Sequence, residues 1–131
     1  MANIIITLYV DTQKIREKTV DLNTNFGQDS RTKNENYVTR PGMGDTIIWQ
    51  GISSVNVNDE VNITRVEYEG GKNVFHRNPI DGVGNPETVT AAIANHTDGE
   101  EELYTIYFSI VKSGEIQEDN YHIDPKIQVH P

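Results

Sequence analysis

Gly44-Asp45-Thr46-Ile47-Ile48-Trp49 decides the fold of this chain. A Gly-Asp turn leads straight into a β-branched run that ends in the only Trp. Glycine and aspartate favour turns because Gly accepts positive φ and Asp hydrogen-bonds its own backbone. β-Branched side chains are stiff in helices and pack well on a pleated surface. Residues 46–51 therefore read as a strand. Two further runs share the pattern. Residues 4–11, Ile-Ile-Ile-Thr-Leu-Tyr-Val-Asp, open with three Ile, which predicts burial on both faces before alternation sets in. Residues 103–112, Leu-Tyr-Thr-Ile-Tyr-Phe-Ser-Ile-Val-Lys, form the third.

Shorter elements fill the gaps. Residues 12–18 predict a short helical turn capped by Asp11 or Thr12, with Glu17 near the capping-box spacing. Residues 21–33 are rich in Asn, Asp and Thr and predict a loop longer than most connections. Residues 37–40 and 88–94 read as strands. Residues 53–65 alternate through Val55, Val57, Val61 and Ile63, with a hairpin turn expected at Asn58-Asp59. Gly70-Gly71 signals another hairpin. Residues 78–86 hold two Pro and two Gly and read as loop, and residues 95–102 as an acidic turn. Residues 121–130 read as a last strand, with Pro125 placing it at an edge or a bulge. The sum is one domain over residues 1–131: an all-β, antiparallel sandwich of seven to nine strands, cupredoxin-like or immunoglobulin-like, with at most one short helix.

Composition excludes several chemistries. The chain has 131 residues, 20 acidic against 11 basic, for a formal charge of −9. That charge repels phosphate backbones and anionic lipid surfaces, so neither nucleic acid nor membrane is an expected partner. No cysteine is present, which removes disulfides, thiolate nucleophiles and Cys-type metal centres. The first residues, Met-Ala-Asn-Ile-Ile-Ile-Thr, lack the basic and long apolar regions of a signal peptide. Cytoplasmic synthesis is the expectation.

Two resemblances rest on these motifs. Residues 44–49 and Tyr104-Thr105-Ile106-Tyr107-Phe108 look like the strands of cupredoxins. The resemblance implies the fold alone, because the Cys and the loop His of a blue-copper site are missing. A second covers more of the chain. Val10-Asp11-Thr12 resembles the Val-Asp-Thr opening of the AidA/PixA family of bacterial inclusion-body proteins. Residues 44–49 resemble that family's Gly-Asp-x-Ile-x-Trp segment, and Ile123-Asp124-Pro125-Lys126-Ile127 its closing strand. The three fall in family order. This chain is shorter than typical members and its middle does not match. The resemblance implies a small cytoplasmic protein tied to inclusion bodies.

No catalytic constellation stands out. There is no Gly-x-Ser-x-Gly, Ser109 has no base beside it, and Gly82-Val83-Gly84 is too short for a phosphate loop. Any two of the 20 carboxylates could pair, so none is singled out for glycosidase chemistry. Of the four His, His122 and His130 fall on one expected strand but about 26 Å apart. Asp98-Gly99-Glu100-Glu101-Glu102 offers oxygen ligands for Ca²⁺ but lacks EF-hand spacing. Trp49 reads as core, yet an aromatic face beside Asn and Asp would also suit a sugar.

The resulting expectation is a non-enzymatic protein without cofactor or metal, acting as a homo-oligomer or larger assembly. The alternative is a lectin-like module that binds a glycan, with or without Ca²⁺. The 21–33 loop is the expected contact region. Candidate ligand or partner contacts are Asn25, Asp29, Tyr37, Trp49, His76, Asp98 and Tyr121. Assembly would use residues 4–10 or 103–111, whichever lies at a sheet edge.

Overall fold

A computed structural model describes residues 1–70 and 73–131, with the side chains of Glu118 and Asp119 outside that description. The Gly70-Gly71 hairpin signal and the acid Asp119 thus fall partly outside it. Ten strands occur among the described residues: β1 (Asn3–Val10), β2 (Thr24–Asn25), β3 (Val38–Thr39), β4 (Thr46–Ser53), β5 (Asp59–Tyr68), β6 (Ile80–Asp81), β7 (Val89–Ala92), β8 (Glu102–Lys112), β9 (Glu115–Ile123) and β10 (Lys126–Ile127). Two single 3-10 turns, Glu17–Thr19 and Asn34–Asn36, are the helical content.

The strands form two facing sheets. One runs β2-β1-β4-β7; the other runs β3-β10-β8-β5-β6, with β9 also paired to β8. The all-β sandwich expected from sequence is the observed architecture, with ten strands among the described residues instead of seven to nine because short pairings such as β2, β3 and β6 have no periodicity of their own. Its sheets are mixed rather than purely antiparallel, because β1 lies parallel to β4 and β3 parallel to β10.

Alternation in each long strand builds the core. Ile6, Leu8 and Val10 of β1 and Ile47 and Trp49 of β4 meet Val61 and Ile63 of β5 and Tyr104, Ile106, Phe108 and Ile110 of β8, all buried. Trp49 packs edge-on to Phe75 at 5.4 Å and to Tyr104 at 5.8 Å. Gly51 lets the sheets close here: a Cβ on it would collide with the Val61 side chain.

Three local expectations are corrected. Residues 53–65 do not form a hairpin: β4 and β5 belong to different sheets, and Val55 and Val57 are exposed in the crossover. Its alternation continues through a turn, and periodicity alone does not mark where a chain changes sheet. Residues 115–120, given no element in the sequence reading, form most of a strand, β9, whose end overlaps the expected 121–130 strand; that strand is broken at Asp124-Pro125 into β9 and β10. Ser113 (φ 49°) and Gly114 (φ 84°) make the two-residue turn that joins β8 to β9, both residues being left-handed as such turns require. Finally, His122 ends in β9 while His130 lies beyond β10, so they do not share a strand.

Candidate functional site

The structure shows which of the two long β-branched strands is open. β8 is interior, held by β5 on one side and by β9 and β10 on the other. β1 is different. Its whole length pairs with β4, but on the other side, among the described residues, only Tyr9 and Val10 meet a strand, β2. Asp11 N–H donates to Asn23 O on that side, whereas Ala2 O and Val10 O accept from Thr46 and Ser54 on the β4 side. Strand backbones alternate direction. Asn3, Ile5 and Thr7 therefore point their N–H and C=O groups to the open side.

The Gly-Asp turn fixes this edge. Gly44 has φ 88°, and Asp45 Oδ1 accepts from Ala2 N–H at 2.8 Å while Oδ2 accepts from Gly42 N–H at 2.8 Å. These two donors hold the Asp45 carboxyl below its ordinary value, the Ala2 bond contributing most. Asp45 thus straps the start of β1 against the start of β4.

Chemistry sets the edge apart. Asn-Ile-Ile-Ile-Thr-Leu-Tyr-Val contains no charge, no Pro and no Gly. Its outward side chains extend onto an apolar face: Ile5 is 60% exposed, stands opposite half-buried Ile48, and Tyr9 stands opposite Ile52, which is 44% exposed. Open edges are normally blunted by charge, brevity or covering segments. The other edges of this molecule are. β3 and β6 have two residues each, and β9 carries Glu115 and His122. β7 is covered at both ends: Val83 and Thr88 exchange bonds of 2.9 and 3.0 Å, and Ala94 N–H donates to Val74 O at 2.7 Å.

The 21–33 loop starts where the open stretch of β1 stops. It encloses a depression of about 720 Å³ lined by residues that include Asp21, Asn25, Gln28, Asp29, Lys33 and Asn34. A side-chain lattice holds its shape. Buried Asn34 donates to Thr24 Oγ1 at 3.0 Å and accepts from Gln28 Nε2 at 2.8 Å; Gln28 Oε1 accepts from Phe26 N–H at 2.6 Å. Phe26 stacks on Tyr37 with ring centroids 4.7 Å apart.

The sequence candidates scatter. Asn25 and Asp29 line the depression, but their oxygens accept from the backbone N–H of Gly27 and Arg31. Arg31 pairs with Asp29 at 3.0 Å and holds its carboxyl below the ordinary range. Tyr37 supports the loop from beneath. His76 is exposed on a different loop. Asp98 has φ 54° and lies 3.0 Å from His96. Trp49 and Tyr121 are corrections: both are buried, at 1% and 5% exposure, so neither offers a contact surface. Each falls on the inward parity of its strand. Among the described residues, no group of three His, Asp or Glu could hold a metal ion.

Sequence reasoning misses one outward cluster. Thr105 Oγ1–H donates to Asp124 Oδ1 at 2.7 Å, and the Tyr107 and His122 rings lie 6.0 Å apart in a shallow depression with Glu69 and Leu103. Burial, and then a hydrogen bond to Glu67, push the Tyr107 hydroxyl above its ordinary value. Alternation along β8 places Thr105 and Tyr107 on one face. Their partners arrive from β5 and from residues 122–124, and strand pairing is not written in the sequence.

A scan against protein-family models gives no match, and comparison with curated proteins gives none either. Among solved structures, the chain is similar to the crystal structure of the inclusion body protein PixA from Burkholderia cenocepacia, at 12% identity and a TM-score of 0.64, over 99% of this chain and 97% of that one. Another similar chain is the cysteine protease inhibitor EhICP2 from Entamoeba histolytica, at 12% identity and a TM-score of 0.39, over the same shares. At these identities the likeness concerns architecture alone. No helix among the described residues is long and apolar enough to cross a membrane. The chain therefore has the sandwich fold of the PixA inclusion body protein.

Proposed function

We propose that this chain is a non-enzymatic, cytoplasmic β-sandwich protein whose function is self-assembly, in the manner its likeness to an inclusion body protein implies. One observation carries the reading: β1 presents an uncharged, β-branched edge whose outward backbone groups at Asn3, Ile5 and Thr7 have no partner strand among the described residues. Unpaired N–H and C=O groups in an apolar setting are a template for another strand. The rest of the surface, at a net charge of −9, favours dispersal. Association is thereby directed to β1, the longest uncharged stretch of open edge among the described residues. Burial of Trp49 and Tyr121 removes two of the aromatic faces on which a sugar-binding reading would rest.

The test is molar mass by light scattering during size exclusion, over a hundredfold dilution series. The expected result is a mass that is a multiple of 14.8 kDa and falls on dilution. A mass of 14.8 kDa at every concentration overturns the assignment.

A further inference from the structure

The two edges of the first sheet differ in how much backbone they offer, and this decides what kind of assembly is possible. On β1 the outward groups of Asn3, Ile5 and Thr7 form a continuous stretch. On β7 the parity is set by Ile93 N–H, which donates to Asp45 O on the β4 side, and by Ala94 N–H, which donates to Val74 O on the other. Only Thr90 and Ala92 therefore face outward between the covered ends at Thr88 and Ala94. An edge of two residues between two obstructions cannot receive a strand as long as β1.

Head-to-tail pairing of β1 on β7 would leave both edges in use and grow without limit. Pairing of β1 on β1 uses the same surface on both copies and closes at two. We infer that the assembling unit is a two-fold dimer in which β1 pairs antiparallel with β1 of a second copy, joining two four-stranded sheets into one of eight. This rests on the self-assembly reading above.

Self-complementarity supports a second copy as the occupant. β2 already occupies Tyr9 and Val10, so the local two-fold must fall near Ile4–Ile6. That centre sets short outward residues against each other, Asn3 near Thr7 and Ile5 near Ile5. No like charges meet, in a chain otherwise at −9. Each hydrogen-bonded pair of an antiparallel ladder exchanges two bonds. With Ile5 of each copy beside half-buried Ile48, the junction sets an apolar row, Ile48-Ile5-Ile5-Ile48, across the two-fold. A strand from an acidic partner would gain none of this matching.

Two proline variants test it. Ile5→Pro and Thr90→Pro each delete an N–H that points outward, so neither removes a bond within its own sheet. Light scattering on the full chain should give twice 14.8 kDa for the wild type and for Thr90→Pro, and half that mass for Ile5→Pro. An Ile5→Pro protein that keeps the wild-type mass overturns β1 pairing while leaving self-assembly intact. A larger wild-type particle reduced to monomer by Thr90→Pro overturns closure in favour of head-to-tail growth. A monomeric wild type overturns the self-assembly reading itself. Should Ile5→Pro fail to fold, amide hydrogen exchange on the wild type decides. Ile5 and Thr7 should exchange as slowly as Ile4 and Ile6 when concentrated, and at least tenfold faster on dilution. Fast exchange at Ile5 and Thr7 at all concentrations contradicts the pairing.

Discussion

Trp49 of one sheet donates its indole N–H to the hydroxyl of Tyr104 in the other, at 3.2 Å, and both side chains are buried. This bond joins the two sheets through the centre of the core. An indole N–H left without a partner there costs about 1–3 kcal/mol. Tyr104→Phe should therefore lower unfolding stability by about that amount, read from urea denaturation with an unchanged slope. A loss below about 0.5 kcal/mol would show that the bond contributes nothing net.

The same residue predicts a pH dependence. Burial, the largest cause, raises the Tyr104 hydroxyl well above its ordinary value of 10.0. A group whose pKa is raised in the folded state stabilises fully below its unfolded value and loses that contribution as pH climbs past it. Wild-type stability should hold to about pH 10 and then fall relative to Tyr104→Phe by about 1.4 kcal/mol per pH unit. Parallel stability curves for the two proteins above pH 10 would contradict the buried, neutral phenol.

Thr12 closes one end of the sandwich. Its hydroxyl donates to Asp59 Oδ2 at 2.6 Å and lies 2.9 Å from Ser53 Oγ, and its side chain is fully buried. Thr12→Val keeps the shape and removes the donor to a buried carboxylate. The expected loss is about 2–3 kcal/mol, since deserted charged groups cost more than neutral ones. Thermal unfolding of Thr12→Val and of the double variant Thr12→Val/Asp59→Asn should show the second change recovering part of that loss. A double variant no more stable than Thr12→Val would contradict it.

How far the sequence carries can be judged from particular residues. The three β-branched runs emerge as β1, β4 and β8 within one or two residues, because each alternates against a single core. Asp11 also acts as expected, accepting from the N–H of Gln13 and Lys14 in the following turn. Thr12, the other cap candidate, turns inward to Asp59, 47 residues away. Partners at such separation have no local signature. The same reason hides the open side of β1. Periodicity identifies a strand and its buried face, but only the pairing of strands in the folded sheet reveals which edge is bare. The Ser113-Gly114 turn was legible in principle: a Ser-Gly pair after an alternating run is a hairpin signal.

The loop depression depends on Asn34, whose amide joins Thr24 to Gln28. Asn34→Ala should leave the sandwich folded yet loosen residues 21–35. Hydrogen exchange or limited proteolysis confined to that segment should rise at least tenfold, with a global loss of about 1–3 kcal/mol. Unchanged protection there would show that the Phe26–Tyr37 stack alone holds the loop.

Edge pairing of β1 can be read directly because the chain has no cysteine. A single Ile5→Cys change, coupled to a nitroxide, places one spin per chain on the outward face of β1. Antiparallel β1–β1 pairing brings the two position-5 backbones within about 8 Å of each other. The continuous-wave spectrum should be strongly broadened and should sharpen when labelled protein is diluted tenfold with unlabelled chain. A sharp spectrum, unaffected by that dilution in a sample whose mass is twice 14.8 kDa, would contradict association through β1.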